Sequence, residues 1–408
     1  MAAFFDGLTL RGRGFLAAGV TAMICAIVLG QPALVRIGAL LAILPLLAAF
    51  AVTRRRPRLR VNRSVSPALV QAGESVQITL RILSDEPARP RAILVEDLVP
   101  YALGSRPRFV LPASRARSER VVNYLLRSDL RGCYPIGPLQ ARAVDPFGLF
   151  EARHTIGVTT DVLVAPRVVP LPPIPLAGGL QGAGAHRPRP FALGSAEDTS
   201  VREYRRGDDL RRVHWRSSAR IGELMVRREE QPWEAHATVL VDNRECAHRG
   251  RARASSFESA ITAAASAVVH LEQHGYAAQL VTSTGVVTSG ADAALHLLSV
   301  LDLAAETTLD SAWANDRVRG GVVVAVLGDL QQLDTPTLRR IRHGASAALG
   351  LVFDVEQWSP THLSNGSDAA CVPLRALGWR AAGLGPRDRL DHAWRDLGQA
   401  CAHHGSPR

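Results

Sequence analysis

Residues 202–230 crowd nine arginines and six acids around Tyr204, His214 and Trp215. The string opens R-E-Y-R-R-G-D-D-L-R-R-V-H-W-R-S-S-A-R at Arg202 and closes I-G-E-L-M-V-R-R-E-E at Glu230. Guanidinium groups are planar, permanently charged and able to grip carboxylates in pairs. A mixture of Arg202, Arg205, Arg206, Arg211, Arg212, Arg216 and Arg220 with Glu203, Asp208, Asp209 and Glu223 is therefore expected to build a fixed network. Three kinds of chemistry are open. The segment could clasp two soluble domains together through ion pairs. It could dock a protein partner, with Trp215 and the arginines as anchors. Or His214 could work with Asp208 or Asp209 in catalysis, although no nucleophile in a recognisable context accompanies them. Signs so nearly balanced argue against a phosphate-binding face, which is one-sided.

Composition narrows the field further. The chain has 408 residues, a formal charge of +11 and no lysine, so every basic side chain except histidine is an arginine. A phosphate loop ending in Gly-Lys-Ser/Thr, a Schiff-base lysine and a Ser-Lys dyad are excluded. If ATP matters here, a partner hydrolyses it. Cys25, Cys133, Cys246, Cys371 and Cys401 form no Cys-x-x-Cys pair, which points to neither a zinc knuckle nor a disulfide framework. No motif calls for a cofactor. The basic balance allows a nucleic-acid or anionic-lipid binder, but aromatic content is only 5%, too low for a stacking platform.

Five regions must position these residues. After a short N-terminus (1–14), a two-helix hairpin is predicted over 15–52, from apolar runs at 15–30 and 37–52. Each run rises ~24 Å as helix, near the ~30 Å hydrocarbon core. Gln31-Pro32 supplies the break. Arg11 and Arg13 precede the first run, Arg54 to Arg60 follow the second, and the connecting loop carries Arg36 alone. Positive residues stay inside, so a multi-pass cell-membrane protein is expected with its bulk in the cytoplasm. The cluster from Arg54 to Arg60 is suited to lipid headgroups.

Residues 61–165 read as an all-β, immunoglobulin-like sandwich. Val76, Ile78, Leu80 and Ile82 alternate with polar residues, and similar short runs recur at 92–95, 121–126, 139–144 and 161–164. The segments R-G-C-Y-P-I-G-P at Arg131 and D-P-F-G-L-F at Asp145 read as corner turns. A Pro/Gly-rich linker follows at 166–196, then the arginine segment at 197–234. There Asp208 and Asp209 would cap a helix over 210–219. Leu224, Val226 and Arg228 alternate as on an edge or entry strand of the next domain.

Residues 235–408 alternate apolar strands (237–241, 276–281, 322–327, 349–353) with helices (from Phe257, 291–303 and 388–402), the grammar of a parallel α/β sheet. Asp242, Asp329 and Asp354 fall at strand ends, where such sheets bind ligands. The order of elements resembles the von Willebrand factor A architecture, which holds Mg²⁺ through Asp-x-Ser-x-Ser. Here that position reads Asp242-Asn243-Arg244-Glu245-Cys246: both serines are missing and Arg244 brings its own cation. Asp242 and Asp329 are the candidate metal ligands; capping a helix or pairing with an arginine is the other role open to Asp242. His270 and His274, four apart with Glu272 displaced from a metalloprotease position, are expected to decorate the polar end of a helix.

The pattern R-E-Y-R-x-G-D-D, R-R-x-x-W-R-x-S-A-R and G-E-L-x-V-R, carried here by Arg202, Tyr204, Arg205, Gly207, Asp208, Asp209, Arg211, Arg212, Trp215, Arg216, Ser218, Arg220, Gly222 and Glu223, resembles the signature of the bacterial domain-of-unknown-function-58 family. The segments at Arg131 and Asp145 are similar to that family's upstream pattern. His214 stands where the family has an acid. The resemblance implies two membrane helices, a von Willebrand A-like region and a partnership with a MoxR-type AAA+ ATPase. It implies a non-enzymatic membrane scaffold or adaptor and supplies no catalytic residue. The alternative from another class is a metal-dependent or hydrolytic enzyme at the strand ends near Asp242 and His214.

Overall fold

The computed structural model describes residues 6–54, 59–84, 93–113, 118–175, 201–204, 213–227, 235–310, 312–313, 320–359 and 368–399. It is a mixed α/β chain with two N-terminal apolar helices and several sheets, divided into two compact units, Met1–Arg167 and Val168–Arg408.

In the first unit, helices α1 (Leu10–Leu29) and α2 (Pro32–Arg54) are long and apolar enough to cross a membrane. Both exceed the runs predicted from the sequence. The break between them falls where Gln31-Pro32 is expected to place it, and Pro32 opens the second helix, since the first helical position has no use for an N–H. Gly30 caps the first helix just before it, its left-handed φ of 64° letting its N–H reach the Ala26 carbonyl. The helices touch through small residues: a Cβ at Gly19 would lie 2.8 Å from the Ala42 nitrogen.

The rest of this unit is all β. Strand β1 (Leu59–Ser66) pairs with β3 (Ser75–Ser84), and β3 with β6 (Ser118–Arg127), all antiparallel. A second sheet joins β5 (Arg108–Leu111), β4 (Ile93–Asp97), β8 (Leu139–Val144) and β9 (Glu151–Ile156). A third joins β2 (Leu69–Gln71), β10 (Thr160–Ala165) and β7 (Gly132–Ile136). The inward half of β3 is Val76, Ile78, Leu80 and Ile82, all buried, as alternation demands. One expectation fails: the segment at Arg131 is no corner, because Gly132–Ile136 is a strand that pairs along β10. A buried brace ties the sheets together. The Arg63 guanidinium meets Asp97 at 2.7 Å, and the Tyr124 hydroxyl donates to Asp97 at 2.6 Å. Burial, then the neighbouring Asp97 carboxylate, pushes the Tyr124 phenol well above its ordinary pKa.

The second unit carries a short two-stranded ribbon, β11 (Val201–Glu203) with β12 (Met225–Arg227), and a helix α3 (Trp215–Ile221) between its strands in sequence. Its core is one six-stranded sheet. The strands are β13 (His236–Val241), β14 (Ala277–Thr282), β15 (Val287–Ser289), β16 (Val322–Leu327), β17 (Ala347–Phe353) and β18 (Arg380–Leu384). They lie in the order β15-β14-β13-β16-β17-β18, parallel except for β15. β16 and β17 are buried along their whole length, which fits their unbroken apolar sequences. Helix α4 (Ser256–Gln273) packs against β13, β14 and β16. Leu338 and Ile341 of α5 (Thr335–Gly344) join a core cluster with Leu240, Val323 and Val352. Strand order reverses between β13 and β16, the kind of point at whose carboxyl ends ligands bind in open α/β sheets.

Residues 168–175 run over this unit rather than away from it. The Val169 N–H donates to Ser266 Oγ of α4 at 2.9 Å. Trp394 of α6 (Leu390–Gln399) donates from its indole to the Pro172 carbonyl at 3.0 Å. Under this strap His270 is buried, its ring tilted against that of His274 with centroids 4.1 Å apart and edge-on to Trp394 at 5.4 Å. The expectation of a solvated polar helix end is therefore corrected for His270. Burial, reinforced by His274, lowers its pKa to about 4.

Candidate functional site

Two places carry candidate residues. The first is the arginine segment, where Asp208, Asp209, Arg205, Arg211, Arg212 and Gly207 lie outside the described residues. The described part forms a small compact motif. β11, which contains Arg202, pairs antiparallel with β12, and the Tyr204 N–H donates to the Leu224 carbonyl at 2.8 Å. Strand β12 thus belongs to a two-stranded ribbon, and the expected entry strand of the α/β sheet is corrected. The helix is also shorter than predicted: α3 begins five residues after position 210. Helix cannot start earlier because Val213 bridges to Val226 and the His214 N–H donates to the Met225 carbonyl.

His214 closes the helix start. Its Nδ1 accepts the Ser217 N–H at 3.2 Å and lies 2.8 Å from the Ser217 hydroxyl. A ring nitrogen accepting an N–H of the first turn does the work that an aspartate does at a helix start. The cap also commits the ring nitrogen that a catalytic base would need. Ser218 braces the motif from beneath: its hydroxyl donates to the His214 carbonyl at 3.1 Å and accepts the Met225 N–H at 2.8 Å. Gly222 ends the helix at φ 85°, a conformation that strains any residue with a Cβ. Among the described residues, the neutral hydrogen bonds of Ser218 tie the helix to β12.

Several side chains of this braced motif are exposed. Trp215 is 68% exposed, Ile221 58% and Leu224 42%, and Arg216, Arg220 and Glu223 are exposed with them. Val213, Ser218, Met225 and Val226 are buried below. A wide aromatic and two aliphatic side chains held at the surface of a segment that also exposes Arg216 and Arg220 is the composition of an interface anchor.

The second place is the switch point of the sheet. Asp242 directly follows β13, and Arg244 folds back onto it. The guanidinium meets Asp242 through Nε at 2.9 Å and Nη2 at 2.8 Å. It meets Asp334 through Nη1 at 2.8 Å and Nη2 at 3.0 Å, and donates to the Thr307 carbonyl at 2.9 Å. All five N–H groups are used, and all three side chains are fully buried. Burial opposes the charge on Arg244, but the hydrogen bonds to Asp242 and Asp334 outweigh it and hold the guanidinium above its ordinary pKa. Asn243 accepts from the Ser283 N–H and hydroxyl, and His248 donates from Nε2 to the Asp242 carbonyl at 2.7 Å. Burial lowers the His248 pKa and favours the neutral ring.

A divalent cation does not fit this donor set. Both Asp242 oxygens and both Asp334 oxygens are engaged by a guanidinium that already supplies the positive charge. Asp329 lies two residues beyond β16; partial burial raises its carboxyl pKa against the pull of Arg249. Asp354 accepts from the Gln357 amide at 2.8 Å. Among the described residues no three His, Cys, Asp or Glu side chains converge as a metal site. Pairing with an arginine was legible for Asp242; the second carboxylate, Asp334, comes from 90 residues beyond Arg244 and left no local signal.

No curated protein matches this chain. Among solved structures it is similar to the CARDB domain of a Pyrococcus furiosus protein in complex with di-metal ions (17% identity, 26% of this chain, 88% of that one, TM-score 0.20). It is also similar to the alkylpurine DNA glycosylase AlkC of Pseudomonas fluorescens (17%, 31%, 39%, 0.17) and to Cwp6 from Clostridium difficile (10%, 85%, 40%, 0.15). At such TM-scores none defines the fold or the function of this chain. Residues 200–348, which hold both the Trp215 motif and the Asp242 strand end, match the family described as Protein of unknown function DUF58.

Proposed function

We propose that this chain is a membrane-anchored, non-enzymatic adaptor of that family. Its β unit is an immunoglobulin-like sandwich, and its second unit is a von Willebrand A-like domain whose metal position is filled by Arg244. The parallel order β15-β14-β13-β16-β17-β18 with an antiparallel β15, and the Asp242 strand end at its switch point, support the second reading. The hairpin α1–α2 holds the protein in the cell membrane with both ends and the bulk of the chain in the cytoplasm, as the arginines at its open end favour. The partner is a MoxR-type AAA+ ATPase, which the lysine-free chain would need for any work driven by ATP.

One observation carries the adaptor reading: Trp215, Ile221 and Leu224 stand exposed on a motif braced from beneath by Ser218 and capped by His214. Rigid apolar anchors bind without paying the ordering entropy of a loop. Replacement of Trp215 by alanine tests it. Binding of the purified ATPase to the full chain in vesicles is expected to weaken about 30-fold or more, a hot-spot loss of ~2 kcal/mol. Equal affinity of the variant overturns the proposal.

A further inference from the structure

The turn at Asp145 has a role that its sequence, read as a corner, does not suggest. Asp145 is buried and accepts three backbone N–H groups, from Phe147 at 2.8 Å and from Leu149 and Phe150 at 2.6 Å each. The turn so fixed is docked against the helical hairpin. Thr9 donates its hydroxyl to the Gly148 carbonyl at 2.6 Å and its N–H to the Leu149 carbonyl at 3.1 Å. Leu8 bridges to Phe150, and a Cβ at Gly12 would run into the Leu149 carbonyl. Leu149 and Phe150 share an apolar cluster with Ala48, Ala49 and Val52 of α2.

That contact fixes a height. From Gly12 to the end of α1, and from the start of α2 to Ala49, the helices each rise ~27 Å, close to the ~30 Å hydrocarbon thickness. With the hairpin spanning the bilayer, the proposed reading on which this inference rests, the Asp145 turn is docked at the inner hydrocarbon boundary. At that level Phe147 is 61% exposed. Arg11 stands against Gly148, and Arg11, Arg13 and Arg54 are exposed around the same helix ends. An exposed aromatic at the boundary, with guanidiniums at phosphate depth, is the arrangement of an interfacial anchor.

We infer that the Asp145–Phe150 turn is a lipid-binding site: Phe147 inserts at the base of the acyl chains while Arg11, Arg13 and Arg54 bind anionic headgroups. The lipid contact would hold the β unit at a set attitude to the membrane, because Asp145 leaves the turn no freedom.

The test uses the full chain in vesicles of phosphatidylcholine and phosphatidylglycerol that carry a diazirine on the acyl chain, with labelled peptides located by mass spectrometry. Label is expected on the peptide containing Phe147 as well as on the hairpin around Leu40. In Phe147→Asp the turn label is expected to be lost while the hairpin label stays. A labelled hairpin with an unlabelled wild-type turn overturns the inference and leaves the anchor standing. Absence of label from both overturns the anchor itself.

Discussion

Arg244 shows how one side chain can settle what a strand end does. Its guanidinium meets two buried carboxylates that belong to different parts of the chain and satisfies all four of their oxygens. Removing one member of a buried ion network is costlier than the network's net worth, because uncompensated charge stays behind. Arg244→Ala is therefore expected to lose ~3–5 kcal/mol, read as a lower thermal midpoint of the full chain in detergent. Millimolar Mg²⁺ should recover part of that loss in the variant and do nothing for the wild type; a variant as stable as wild type would contradict the account. His214 offers a gentler test. Aspartate at that cap adds a full negative charge at a helix start, so His214→Asp should be stabilising by ~0.5 kcal/mol, whereas His214→Ala should cost ~1 kcal/mol. The same thermal measurement separates them. What the residues reveal in advance follows distance along the chain: Arg244 lies two positions from Asp242 and its pairing could be expected, while Asp334 and Thr307 reach the site only through the fold.

Elements made of one kind of signal are the readable ones. Val322–Leu327 is an uninterrupted apolar run and is a buried strand throughout, and the alternation along β3 points to its inward face directly. β7 hides behind its glycine and proline, and β18 behind Ala381, Ala382 and Gly383, small residues with little strand preference of their own. The burial of His270 has no local mark, because the strap that covers it lies about a hundred residues upstream, near Val169. That burial has a consequence in acid. The folded-state pKa of His270 is about 4, below the ordinary ~6.5. Between those values the unfolded chain takes up a proton that the folded one refuses, so stability falls as pH drops through that window and is fully present above it. His248 shifts in the same direction. Chemical unfolding of the wild type and of His270→Gln at about pH 7.5 and about pH 5 checks this. The wild type is expected to lose more stability on acidification than the variant, and equal losses would refute the assignment.

At the scale of the molecule, charge and apolar surface are divided among three places. The apolar hairpin is flanked by arginines, the sheet switch point is sealed by its own internal cation, and the exposed aromatic lies in the family-matched segment. The proposed adaptor reading rests on the third of these places, the exposed Trp215. The most direct measurement is the affinity of the full chain, held in vesicles, for a purified MoxR-type ATPase, compared between wild type and Trp215→Ala at equal fold stability. The account predicts binding by the wild type and its loss in the variant. Wild-type and variant chains that bind alike, or a wild type that does not bind at all, would contradict it.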